Sequence, residues 1–203
     1  MESRPALELA STIRHDGSGG VADDLTTVQG TTRWIREQAG LPDSVVPAGF
    51  EADEELRRRV TGVRRAVRAL FARAVSPAPA SPADARALMP MEEALAHLNA
   101  AAALESVAPQ LDWPPGGAPT VRLRSGEGDP AVRLVAALAR AAIEFLTGPD
   151  REQLRACTAP RCVRYFVKGH GRQEWCKPSC GNRARAARHY RRRHTVTDGG
   201  PGS

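Results

Sequence analysis

All four cysteines of the chain, Cys157, Cys162, Cys176 and Cys180, fall within 24 residues near one end. They form two close pairs, Cys-x4-Cys and Cys-x3-Cys, separated by 13 residues. A tight turn under each pair can present two sulfurs to one ion, and two such turns complete a tetrahedral thiolate shell. Zinc suits that ligand set. A closed shell of four thiolates leaves no position for water, so the ion is expected to be structural rather than catalytic. An iron–sulfur cluster or a redox pair are the competing readings of the same residues. A disulfide framework would more often spread its cysteines along the chain. His170, between the pairs, either replaces one cysteine as ligand or forms a turn.

The elements around the cysteines must fix those turns. Val163 to Val167 is rich in β-branched and aromatic residues and predicts a strand. Gly169-His170-Gly171 predicts a turn, and Gln173 to Trp175 a returning strand, as in a zinc ribbon. Gly181 to His194 is made largely of alanine and arginine and predicts a helix. At helical spacing Arg185, Arg188 and Arg192 share one face, within about 60° of one another. Ala186, Ala187 and Tyr190 lie opposite, as an apolar face expected to pack on the metal knuckle.

No Asp or Glu occurs between Trp175 and Val196 to balance these arginines. The net charge of the chain is +6; residues 151–203 carry +10, leaving −4 on the first 150. The basic end is thus a separate electrostatic object. Guanidinium forks suit phosphate oxygens. Arg172, Lys177, Arg183, Arg185, Arg188, Arg191, Arg192 and Arg193 are accordingly the candidate nucleic-acid contacts. An acidic protein partner and a merely solvated helix face are the alternatives. Tyr165, Phe166 and Trp175 either stack unpaired bases or form the small core of the module.

Toward the N-terminus the composition is helical: hydrophobic residues make up 41% of the chain and aromatics only 4%. Ala6 to Ile13 predicts a short strand or helix, with a turn at Asp16 to Gly20. Thr31 to Ala39 predicts a helix capped by Thr31 or Thr32, ended by Gly40 and Pro42, with Trp34 and Ile35 inward. Glu51 to Val75 predicts the clearest helix, with an apolar stripe of Leu56, Val60, Val63, Val67, Leu70, Phe71 and Val75. Arg57, Arg58, Arg64, Arg65 and Arg68 fall between them, and Glu51, Asp53, Glu54 and Glu55 occupy its first turn. Ser81-Pro82 predicts another helix start, interrupted at Pro90 and resumed from Met91 to Ser106. Leu111 to Arg124 predicts a short hairpin, and Asp129-Pro130 opens a helix to Leu146.

The expected fold is therefore mainly α. A helical domain with a small β element spans 1–148, a zinc-ribbon-like four-cysteine module followed by a basic helix spans 150–195, and a flexible tail spans 196–203. No run approaches the roughly 20 apolar residues of a membrane span. The first residues lack the apolar stretch of a signal peptide. The expectation is a cytoplasmic protein with no membrane partner. His15, Trp34, His97, Glu105 and Trp113 are candidate pocket residues, but no spacing among them marks a nucleophile, a carboxylate pair or a phosphate loop. No catalytic or cofactor-binding residues are expected, and the chain reads as a non-enzyme.

The run from Trp175 to Arg185, with its Cys180-Gly181-Asn182-Arg183 core, preceded by Cys157-x4-Cys162 and Phe166, resembles the CGNR zinc finger. In bacterial proteins that finger usually follows an ABATE domain, and the pair is described as a stress-induced transcription regulator on inferred grounds. Asp24-Leu25, the Trp34 helix and the helix at Ala131 to Leu146 resemble the ABATE pattern. Ser11-Thr12 stands where the family often has Asn-Thr, and the second cysteine pair is spaced by three residues where many members have four. The resemblance implies one structural zinc on the four cysteines and a DNA-binding or, alternatively, RNA-binding role. The N-terminal domain would then sense a small-molecule effector or form a homodimer. Asn182 could cap the helix or bond toward a cysteine sulfur.

Overall fold

The computed structural model describes residues 4–18, 20–38, 41, 45–84 and 88–197, with side chains as far as residue 193. The central element is α3, Glu54–Val75. Its stripe of Leu56, Val60, Val63, Val67, Leu70, Phe71 and Val75 is buried, as the three- and four-residue spacing requires. The helix begins three residues later than expected. Asp53 is extended and spends its carboxylate on the Leu56 amide at 2.7 Å, so it caps the helix, and Glu51 lies outside it.

Against α3 pack α4, Met91–Ala103, and α5, Pro130–Thr147. The short α1, Pro5–Ala10, closes the bundle by packing on α3 and α5. The Phe71 and Phe145 rings meet at 5.0 Å between centroids. Asp129 caps α5 by accepting from the Ala131 amide, with Pro130 at the first helical position. Along α5 the buried set widens to include Ala136 and Ala139, while Val132, Ile143 and Leu146 are only half-buried. Small residues let α5 approach α3 and α4 along a broad face.

Two expectations for the first half are corrected. The helix α2, Val28–Arg36, starts three residues early because Thr27, rather than Thr31 or Thr32, is its cap. The Thr27 hydroxyl oxygen accepts from the Gly30 amide at 3.0 Å. Thr31 is buried, and Thr32 accepts from the Ala52 amide. Gly30 is needed there: a Cβ would lie 2.4 Å from the Asp24 carbonyl oxygen. Trp34 and Ile35 do point inward; the stop at Ala39, Gly40 and Pro42 lies outside the described residues. Around the Asp16–Gly20 turn the chain also forms a hairpin, β1 (Ile13–His15) against β2 (Val21–Asp23).

After α3 the described residues of the expected helix start form a 3-10 turn, Pro82–Asp84; residues 85–87 lie outside the described set. Ser81 and Asp84 are turned inward to polar partners, which holds the segment in a loop. The resumed helix α4 stops at Ala103, short of Ser106. Glu105 is drawn into the interior there, between Arg133 and Arg140. The expected hairpin exists as β3, Val107–Asp112, paired with β4, Thr120–Ser125.

Two arginines of α3 are not on its surface. Arg64 is 3% exposed and forks onto Asp23 at 2.5 and 2.7 Å, also donating to the Thr12 hydroxyl. Arg68 is 2% exposed and donates to Asp84, Ser81 and the carbonyls of Ala10 and Val163. Buried guanidinium groups persist when carboxylates and carbonyls face them in this way, although the Arg64 Nε is buried without a described hydrogen-bond partner. Burial pushes the Asp23 carboxyl up, but the Arg64 fork and the Leu25 amide outweigh it and hold it below the usual carboxylate range.

Candidate metal centre and basic helix

The polypeptide leaves α5 through one turn, α6 (Asp150–Gln153), into β5, Leu154–Ala156. That strand pairs antiparallel with β6, Tyr165–Val167. The expected strand within Val163 to Val167 is thus present, but its partner lies upstream of the first cysteine. Gln173 to Trp175 forms no strand. The Gln173 side chain instead accepts from the Gly169 amide and donates to the Trp175 carbonyl, which holds this segment as a loop. Cys157 and Cys162 therefore sit on the loop that connects β5 to β6. The Cys157 amide extends the ladder by donating to Arg164, and the Cys162 amide donates to Ala159. Arg161 takes the left-handed conformation there, with φ 63°. His170 is exposed, and its carbonyl closes the turn by accepting from Gln173; it lies outside the group of four cysteines.

The second pair comes from the loop and from α7, Pro178–Thr197. This helix starts earlier than expected, so Cys180 belongs to its first turn. Pro178 opens it, where a missing amide is harmless. The four sulfurs all lie within 4.8 Å of one another. Cys162 and Cys176 are 3.7 Å apart, and Cys176 and Cys180 3.5 Å. Four thiolates at about 2.3 Å from a tetrahedral zinc would stand ~3.8 Å apart. The donor set and spacing thus fit one structural zinc ion. Cys157, Cys162 and Cys180 are buried, with Ala159, Phe166 and Trp175 around them.

The thiols already act on one another. Bonds from Cys157 and Cys176 pull the Cys162 thiol down, while bonds to Cys157 and Cys162 push Cys176 up. Four negative sulfurs cannot coexist in this space without a cation. Arg183 adds positive charge by donating to the Cys180 sulfur at 3.2 Å. A guanidinium on a ligand sulfur offsets the surplus negative charge of a four-thiolate zinc centre. Gly181 allows a close approach: a Cβ would lie 3.0 Å from the Trp175 ring, which would have to shift by a few tenths of an ångström. The adjacent Asn182 neither caps the helix through a described bond nor reaches sulfur; its side-chain oxygen accepts from Arg185 at 2.6 Å.

The side of α7 that faces the knuckle is also corrected. Cys180, Gly181 and Ala184 are buried and Ala187 is half-buried. Ala186 is exposed and Tyr190 is 65% exposed. The buried cysteine fixes the rotation of the helix, so the face follows from Cys180 at three- and four-residue steps. Arg188 lies over the Trp175 ring at 5.7 Å from its centroid. Arg172, Lys177, Arg185, Arg188, Arg191, Arg192 and Arg193 are all exposed, whereas Arg183 is half-buried against sulfur.

Tyr165 and Phe166 are not base-stacking platforms. Phe166 packs beside the cysteines, and Tyr165 belongs to the core of the helical body, edge-on to Phe71 at 5.6 Å. The Tyr165 hydroxyl donates to Asp84 at 2.7 Å; burial and that carboxylate raise its pKa. Val163 offers its carbonyl to both Arg68 and Ser81. The metal module is thereby seated on the helical body by a buried polar cluster that no local sequence signal marks.

The candidate pocket residues of the N-terminal part are not brought together. Trp34 is core, Trp113 is 66% exposed beyond β3, and His97 lies against Gly62. Glu105 is committed to Arg133 and Arg140. Burial pushes its carboxyl up, but the Arg140 bond and further bonds from Ser125 and Arg133 hold it below the usual range.

Fold and site together define a helical body carrying a four-cysteine zinc finger and a basic helix. Residues 3–149 match the family described as "Putative stress-induced transcription regulator", the ABATE family, and residues 153–193 match the CGNR zinc finger. The chain belongs to that family. Both descriptions concern regulators and zinc fingers rather than enzymes. No curated protein matches the chain. No helix among the described residues is long and apolar enough to cross a membrane.

Proposed function

We propose that this protein is a zinc-dependent DNA-binding transcription regulator. Residues 1–148 act as its sensing or dimerising domain, and 150–195 as its nucleic-acid-binding module. The observation that carries the reading is that Cys180 is both a sulfur of the metal group and part of the first turn of α7. The metal therefore sets the direction and rotation of a helix bearing six arginines and no acid from Pro178 to Thr197. Its exposed arginines, with Arg172 and Lys177, form a surface for phosphate oxygens. Burial of Tyr165 and Phe166 removes two of the three candidate stacking rings and leaves Trp175 half-buried beside Arg188, which favours duplex DNA. An acidic protein partner is the remaining alternative. The reading places the protein in the cytoplasm, with its DNA.

The test is selection of bound fragments from random DNA and RNA pools, with Cys180→Ser as control. Enrichment of duplex DNA that is lost in C180S is the expected result. Each phosphate neutralised releases counterion, so affinity should fall about a thousandfold between about 50 and 200 mM salt. Equal affinity across that range, or preference for RNA or for an acidic protein, would overturn the proposal. Native mass spectrometry of the protein as isolated tests separately whether the helical body carries a small molecule.

A further inference from the structure

The β3–β4 hairpin is sharply two-faced. Cross-strand partners share a face, so Val107, Pro109 with Leu123 and Leu111 with Val121 make one side apolar except for Ser125 at its base. The other side carries Gln110 with Arg122, Ala108 with Arg124 and Asp112 with Thr120. A soluble domain normally turns such an apolar side onto its core. Here Leu111 and Val121 are each 69% exposed and Leu123 53%.

These three residues line a cleft of about 1010 Å³ between the hairpin and α5. That is the size of a small-molecule site. On the α5 side the wall is Ala137 and Ala141, flanked by Arg133 and Arg140. Both guanidinium groups are anchored on the single buried carboxylate of Glu105. One carboxylate cannot satisfy two guanidinium forks, so further N–H donors of both arginines remain at the cleft wall. The lining counts four arginines, Arg133 and Arg140 on α5 and Arg122 and Arg124 on the outer side of the hairpin, against three carboxylates, Glu105, Asp112 and Glu144, of which Asp112 is paired with Arg122.

We infer that this cleft binds an amphiphilic carboxylate, with its acid group on Arg133 and Arg140 and its apolar body under the hairpin. The inference rests on the proposal that the helical body senses an effector, and it names the site and the ligand class. Glu105 pre-orients both arginines, so the head group meets fixed donors. The apolar body covers Leu111, Val121 and Leu123 and removes them from water, which drives closure of the hairpin onto α5.

The probes are octanoate, octanol and octylamine, titrated calorimetrically into the full chain with zinc. Octanoate should bind saturably, at least tenfold tighter than octanol, with octylamine weaker still. R133Q should remove most of the preference for octanoate over octanol, with Arg140 still holding Glu105. L111S/V121S changes only exposed positions and should weaken octanoate at least tenfold while leaving the thermal transition in place. Equal binding of octanol or octylamine, absence of octanoate binding, or unchanged affinity in L111S/V121S would each overturn the inference. A bound molecule of another class found by native mass spectrometry would overturn it too, but would leave the sensing role standing.

Discussion

Among the described residues, the helical body gathers thirty buried hydrophobic residues into one core, from Ala6 on α1 to Tyr165 on β6. The cysteine module gathers five, and three of those are ligand cysteines. At about 1.5–3 kcal/mol for each large side chain, burial alone can hold the first region. It cannot hold the second, where Ala159 and Phe166 are the only buried non-cysteine members of the cluster among the described residues. There the metal takes the place of a core. The difference teaches where the chain is robust and where it depends on an ion. It also shows that the boundary between the two regimes is not the start of the module: Leu154 and Tyr165, on the module's own strands, are counted in the larger core.

The largest expected effect is metal removal. Chelation, or C180S, should unfold the knuckle and release α7, with loss of DNA binding by more than a hundredfold. Circular dichroism should show α1 to α5 intact and the β5–β6 hairpin still attached through Leu154 and Tyr165. Retained binding after chelation would break the link between metal and helix direction. Second is Arg68→Ala, which leaves the buried Asp84 carboxylate without its cation, with the Tyr165 hydroxyl still bonded to it, and should cost about 3–5 kcal/mol in denaturant melts. A neutral result would mean that the polar cluster does not join the two regions.

Third, Arg188→Ala with Arg192→Ala should weaken DNA binding about tenfold or more and flatten the salt dependence. This pair removes no buried residue, and its cost to the fold should be limited to the contact of Arg188 over the Trp175 ring. Fourth is acid. Asp23 and Glu105 both have folded carboxyls held below their ordinary values. The unfolded chain then binds protons more readily, so their contribution is present above about pH 5 and lost as pH falls through about 4 and below. Urea melts of the body from pH 6 down to 3 should show that loss, and D23N should reduce it. The smallest effect is Arg161→Gly. A non-glycine residue at positive φ costs about 1 kcal/mol. Glycine there should stabilise the zinc-loaded module by up to about that amount, read as its thermal midpoint.

Much of this architecture was legible in the residues. The three long helices could be read because their periodicity and caps are local: Asp129-Pro130 starts α5, and the α3 stripe faces the core wherever the rest of the chain goes. The cysteine pairs could be read for the same reason, since two ligands on one turn need only a few residues between them. The cap of α2 is Thr27 rather than Thr31 or Thr32, and α3 begins after Asp53 rather than at Glu51; within about one turn, only backbone conformation distinguishes such neighbours.

What only the tertiary structure decided was pairing between residues far apart in the chain. Arg64 and Arg68 look like solvated helix arginines until Asp23 and Asp84 arrive from other segments. The β6 strand was visible, but its partner was not, because Leu154–Ala156 and Gln173–Trp175 offer equally short segments. Packing of Leu154 and Tyr165 on the body, together with the Val163 carbonyl on Arg68, selects the first. Likewise the sequence spaced Ala186, Ala187 and Tyr190 on one side of α7, but burial of the Cys180 sulfur turned a different face inward. Spacing determined that the chain would hold a metal; long-range hydrogen bonding and packing determined what the metal would hold in place.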